Sequence, residues 1–225
     1  MKIKGFTLVE LLAVIAIIGI ALVIAVPHII GMTRGSGMNA SVTELKSVLS
    51  LTRQWAITHR EKTYVVFADG GHFSGSRKNR GDMAYHAYSV WGDRSQEYIR
   101  EWSYLKTGVY FIPCSTKEKS VPPHSRNTKN PLTGTFGTLS LEFPDPGDSP
   151  RSLPAIGFRP DGTAFTEDNT PLQLEIYLGE GLITASVGRD NIGVNDLEFK
   201  PDGTVFGIEV STITGGLRVR DYQHL

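Results

Sequence analysis

One carboxylate stands where the chain is otherwise apolar. Residues 6–26 read FTLVELLAVIAIIGIALVIAV, and Glu10 is the only charged side chain among them. A charged group inside hydrocarbon costs several kcal/mol, so one retained there marks a functional position with a partner to find. Lys2 and Lys4 come just before it, followed by Gly5 and Phe6. Elsewhere the residue types that do chemistry are scattered. His28, His59, His72, His86, His124 and His224 form no H-E-x-x-H or other metal-ligand spacing. No G-x-S-x-G elbow, P-loop or dinucleotide fingerprint occurs. The single cysteine, Cys114, has no internal disulfide partner and reads as a small packed thiol beside Pro113. The expectation is therefore a non-enzyme with no cofactor and no catalytic or metal residue.

The element that carries Glu10 must be a helix. Twenty-one helical residues rise about 31 Å, enough to cross a hydrocarbon core of about 30 Å. The lysines ahead of the run hold the N-terminus in the cytoplasm and send the rest outward. Three readings fit these residues. One is a secretory signal peptide cut near Val23-Ile24-Ala25, although the apolar run is long for that and Glu10 interrupts it. Another is a plain signal anchor, which leaves Glu10 without a reason. The last is a span in which Glu10 has a task of its own.

Pro27 removes a helical hydrogen bond and is expected to kink the helix. With Gly31, Gly35 and Gly37 following, residues 27–38 are expected to be weakly helical. Ser41-Val42-Thr43-Glu44 has the form of a capping box that restarts the helix. Over 41–59, Val42, Leu45, Leu49, Thr52 and Ala56 recur at three- and four-residue spacing, flanked by Val48 and Trp55. Lys46, Arg53 and Arg60 fall on the wet side.

Strand-like runs then alternate with turn signals: Thr63–Phe67, Tyr85–Trp91, Gln96–Tyr104, Gly108–Ile112, Gly137–Phe143, Ala155–Phe158, Leu172–Leu178, Leu182–Val187, Val205–Val210 and Leu217–Arg220. An internal repeat, Phe158-Arg159-Pro160-Asp161-Gly162-Thr163-Ala164-Phe165 and Phe199-Lys200-Pro201-Asp202-Gly203-Thr204-Val205-Phe206, predicts two hairpin tips. The fold class is α+β, a long N-terminal helix packed on an antiparallel sheet or sandwich. Lysine plus arginine equals aspartate plus glutamate at 23 each, which argues against a chain built to coat nucleic acid. Asn39-Ala40-Ser41 spells a glycosylation sequon.

Gly5-Phe6-Thr7-Leu8-Val9-Glu10, behind a short basic leader, resembles the cleavage and methylation motif of type IV prepilins and type II secretion pseudopilins. The resemblance implies that a membrane peptidase cuts between Gly5 and Phe6 and N-methylates Phe6. It implies that Glu10 neutralises the N-terminal amine of a neighbouring subunit during assembly, and that Pro27 is the family's helix-kinking proline. From residue 41 onward the chain is similar to the minor pseudopilins called H-type or FimT-like. The carrying residues are Leu51-Thr52-Arg53-Gln54-Trp55-Ala56-Ile57, the strand Tyr64–Phe67, Leu105-Lys106-Thr107-Gly108-Val109, the two F-x-P-D-G turns, and Thr214-Gly215-Gly216-Leu217-Arg218-Val219. The insert Cys114–Thr135 and the irregular piece Pro144–Arg151 depart from that pattern.

The expected organisation is a cleaved leader at 1–5, a transmembrane helix at 6–30, its periplasmic continuation at 31–60 and a β-rich domain at 61–225. The expected function is a minor pseudopilin of a type II secretion pseudopilus. The alternatives are a type IV pilus minor pilin in adhesion or DNA uptake, and a membrane-anchored periplasmic binding domain. Implied partners are the prepilin peptidase, other pilins, inner-membrane lipid and an assembly platform. Some FimT-like pilins are linked to DNA uptake, so Arg77-Lys78-Asn79-Arg80 with Lys117, Lys119, Arg126 and Lys129 form a lesser DNA candidate. Asp190, Asn191, Asn195 and Asp196 form a lesser calcium candidate, being equally ordinary turn residues.

Overall fold

The computed structural model describes residues 8–72, 81–112, 128–129, 138–144, 146–167, 173–184, 191–193, 196–200 and 203–222, with backbone alone over 19–36, 71–72, 128–129, 173 and 191. Helix α1 runs Leu8–His59. The chain divides into two compact units, Met1–Gly37 and Met38–Leu225. The backbone stays helical through Pro27 and the three glycines after it, so the expected weakening over 27–38 does not interrupt α1. The helix stops without glycine or proline: Arg60 takes φ 52°, the left-handed cap conformation, and Glu61 N–H donates back to Ala56 O at 3.3 Å.

In the second unit the predicted stripe is the packed one. Val42, Leu45, Val48, Leu49, Thr52 and Ala56 are all buried. They meet strands β1 (Thr63–Phe67), β3 (Ala87–Gly92) and β8 (Pro150–Phe158), together with β10 (Gln173–Ile183) and β13 (Val205–Ser211). Strands β4 (Glu97–Tyr104), β7 (Thr138–Glu142) and β9 (Ala164–Phe165) complete the first sheet, in the order β4-β3-β1-β8-β7 with β9 on β8. Its pairings are antiparallel, for example Val65 opposite both Val90 and Ile156. The second sheet joins β10 to β5 (Val109–Phe111), β6 (Thr128–Lys129), β12 (Leu197–Phe199) and β13, and β13 to β14 (Leu217–Asp221). A small third ladder pairs β2 (Gly71–His72) with β11 (Asn191–Ile192).

The first sheet is curled. Tyr64, Val66, Trp91, Leu141, Ala155 and Phe165 cluster on the face away from α1. There the two ends of the sheet approach each other: Tyr98 Oη of β4 donates to Glu142 O of β7 at 2.8 Å, and Trp102 packs edge-on to Phe143 at 5.0 Å.

Several sequence expectations change. Leu172–Leu178 and Leu182–Val187 are read as separate strands on the strength of Gly179 and Gly181, yet β10 runs unbroken through both glycines. A Cβ on Gly179 would lie 2.9 Å from Ile112, and one on Gly181 would lie 2.7 Å from Glu198 O. These glycines permit close approach and make no turn. The first repeat copy is the expected hairpin, β8 to β9. The second is not: β12 and β13 both pair with β10, with Leu197–Phe199 opposite Ile183–Gly181 and Val205–Ser211 opposite Gly179–Gln173. There Lys200 N–H donates to Glu180 O at 2.9 Å and Gly203 N–H to Lys200 O at 3.0 Å. The insert is not wholly loop, since Thr128–Lys129 pair with β10 in parallel. The irregular piece ends early, because β8 begins at Pro150.

Candidate functional site

Among the described residues of the first unit, the helix shows one apolar surface on every side. Leu8, Val9, Leu11, Leu12, Val14, Ile15, Ile17 and Ile18 are all exposed, from 46% at Val14 to 77% at Leu8. A helix that is apolar all round needs a partner or a lipid to cover it. Glu10 sits in the first turn of α1, where the amide dipoles favour a carboxylate. Gly5 and Phe6 lie outside the described residues. Pro27 lies within α1 with its backbone alone described. Among the described residues, no helix is long and apolar enough to cross a membrane; described side chains in the apolar run extend from Leu8 to Ile18.

In the second unit, short motifs far apart in sequence converge on the helix. Ser41 does not cap α1, which continues through it. Its buried hydroxyl instead accepts Lys106 N–H at 2.9 Å. Glu44, the other half of the expected box, pairs with Lys106 at 3.1 Å and faces Arg100 at 3.8 Å. The Leu105–Val109 motif is thereby pinned to the helix, with Leu105 buried. Two turns higher, Arg53 Nε donates to Gly162 O at 3.0 Å. Gly162 is the glycine of the first Pro-Asp-Gly turn, at φ 82°, and Asp161 Oδ1 accepts Thr163 N–H at 2.9 Å to close that turn. Gly215, at φ 64°, packs against both: a Cβ there would lie 2.1 Å from Gly162 O and 2.7 Å from Arg53 Nε. One guanidinium thus joins the helix, a hairpin of the first sheet and a hairpin of the second.

A buried polar network missed by sequence reasoning lies on the second sheet. Glu175 and Glu209 are buried and face each other directly across β10 and β13. Tyr177 and Tyr222 donate to Glu175 at 2.6 and 2.5 Å, and Glu209 pairs with Arg220. Burial, reinforced by the carboxylate, pushes the Tyr222 phenol up to about 12 and raises Tyr177 too. Glu175 alternates with Leu174 and Ile176, a pattern that reads as an exposed face; only the distant Tyr222 and Arg220 betray the network. In the same way, burial followed by the hydrogen bond to Glu167 raises the Tyr64 phenol.

The lesser candidates lie largely outside the described residues. Asp196 Oδ2 accepts Gly193 N–H at 2.8 Å, an ordinary turn contact, while Asp190 and Asn195 lie outside the described residues. Among the described residues, no three His, Cys, Asp or Glu side chains gather as a metal site. The basic run 77–80 and Cys114, Lys117, Lys119 and Arg126 lie outside the described residues, and Lys129 is described by its backbone in β6.

A family model, the prokaryotic N-terminal methylation motif, matches residues 1–26. The chain is similar to the type IV major pilin protein PilA of Myxococcus xanthus (strain DK1622), with 31% identity over 115 residues, which is 51% of this chain and 49% of that protein. The chain therefore spans about half the length of this relative. No solved structure matches. The chain carries the N-terminal methylation motif of type IV prepilins at the head of a helix and antiparallel β fold, and is similar to a type IV major pilin.

Proposed function

We propose that the chain is a structural subunit of a pilin-like filament, made as a prepilin. The observation that carries this reading is the methylation motif over residues 1–26, with Glu10 inside it. A prepilin peptidase cuts between Gly5 and Phe6 and methylates Phe6. Residues 6–30 lodge in the inner membrane, N-terminus in the cytoplasm, with the β-domain in the periplasm, until other machinery draws the subunit into a filament. Glu10 then meets the N-terminal amine of a neighbouring subunit. Opposite charges attract far more strongly between apolar helices than in water, and an unpaired carboxylate there is costly, so pairing favours assembly. Pro27 loosens the helix where it leaves the apolar run, and the subunit performs no catalysis.

The filament is a type II secretion pseudopilus, with this chain as a minor subunit of the H-type; the motifs that converge on α1 support that assignment. A type IV pilus is the second reading, favoured by the similarity to a major pilin.

The test is the intact mass of the membrane protein with and without the peptidase, plus incorporation of Glu10→Ala into filaments. A peptidase-dependent, methylated Phe6 terminus and loss of the variant from filaments are expected. An uncut Met1 terminus, or a cut near Ala25, would sink the reading.

A further inference from the structure

Between Val48 and His59, α1 buries Val48, Leu49 and Ala56 and leaves Ile57 43% exposed; Leu51 and Trp55 are likewise 58% and 37% exposed. Leu51 and Trp55 border a groove of about 450 Å³ whose lining includes Val48, Val90 of β3, and Ile99 and Arg100 of β4. That volume falls in the range of small-ligand sites, about 300–1,000 Å³.

The aromatic wall is held in place before any ligand arrives. Trp55 Nε1 donates to Glu61 Oε1 at 3.0 Å, and the indole stacks on His59 at 3.8 Å with the rings 15° apart. Arg100 is oriented by its Nε donating to Ser103 Oγ at 3.0 Å. Its approach to Glu44, at 3.8 Å, is longer than a hydrogen bond. The lining contains this guanidinium and no carboxylate. Its charge therefore complements an anion with an apolar body.

We propose that the groove binds a small, freely soluble carboxylate bearing an aromatic or alkyl tail. The tail lies against Leu51, Trp55 and Ile99, and the carboxylate pairs with Arg100, whose planar fork suits that group. This site is independent of how the N-terminus is processed.

The test uses the full chain in lipid nanodiscs, labelled with fluorotryptophan, with the Trp55 resonance assigned by Trp55→Phe. Titration with phenylbutyrate should move the Trp55 signal saturably and leave Trp91 and Trp102 in place. Arg100→Gln should weaken binding about tenfold, equivalent to about 1.4 kcal/mol, and uncharged phenylbutanol should bind as weakly to the native chain. Leu51→Glu, at an exposed position that folding tolerates, should abolish the shift. A Trp55 signal that never saturates, one that scales with lipid, or equal binding of acid and alcohol would each overturn the proposal.

Discussion

Gly215 cannot carry a side chain without moving a backbone oxygen, whereas a Cβ on Gly108, also at positive φ, would meet nothing within 4 Å. Gly108→Ala should therefore cost only the left-handed strain, about 1 kcal/mol, and Gly215→Ala more than about 3 kcal/mol in chemical denaturation. Arg53→Met keeps the stem but leaves Gly162 O without its donor, and is expected to cost about 1.5–3 kcal/mol. Equal costs for the two glycine variants would show that the junction yields freely. None of this was legible beforehand: Arg53 reads as a wet helix residue because its acceptor lies 109 residues away. Tyr222 gives a pH prediction at the same scale. Its folded pKa of about 12 stands above the ordinary 10.0, so the folded chain holds this proton more tightly than the unfolded one. The stability it contributes is full below pH 10.0 and is lost as pH rises through about 12. Urea midpoints should fall across that window, and Tyr222→Phe should flatten the fall; an unchanged slope would remove the Glu175 network as the cause.

Regular elements were read well where a single periodicity governs them. The helical stripe Val42–Ala56 is buried as its spacing predicts, and β1 begins and ends at the expected Thr63 and Phe67. Leu49→Ala should then cost about 2–5 kcal/mol, while Leu51→Ala, one turn face away, should stay within about 0.5 kcal/mol. Comparable losses would mean that Leu51 is covered within the domain. Elements were misread where glycine or a turn motif has two uses. Gly179 and Gly181 looked like punctuation but allow Ile112 and Glu198 to approach β10. The two Pro-Asp-Gly copies are nearly alike in sequence, yet the strands flanking the first, β8 and β9, pair with each other, whereas those flanking the second, β12 and β13, both pair with β10. Edge strand β4 is guarded locally: Glu97, Arg100 and Glu101 lie along it, and register shifts interrupt its ladder with β3.

At the scale of the whole molecule, the unit from Met38 to Leu225 contains its own core, with Met38 already buried. A chain starting at Met38 is expected to unfold in one cooperative transition, followed by circular dichroism; a broad, non-cooperative melt would show that the core needs the residues before it. The candidate assembly site was legible from local sequence, because one acid in an apolar run needs no tertiary contact to be noticed. The domain's internal junctions were not, because they exist only once the two sheets close on α1. One of those junctions also bears on Asn39-Ala40-Ser41. Ser41 is buried and engaged by Lys106 N–H within a helix. An enzyme adding carbohydrate to that triplet would find the serine hydroxyl sealed against the Leu105–Lys106 segment. Any sugar on Asn39 would thus record an encounter that preceded folding.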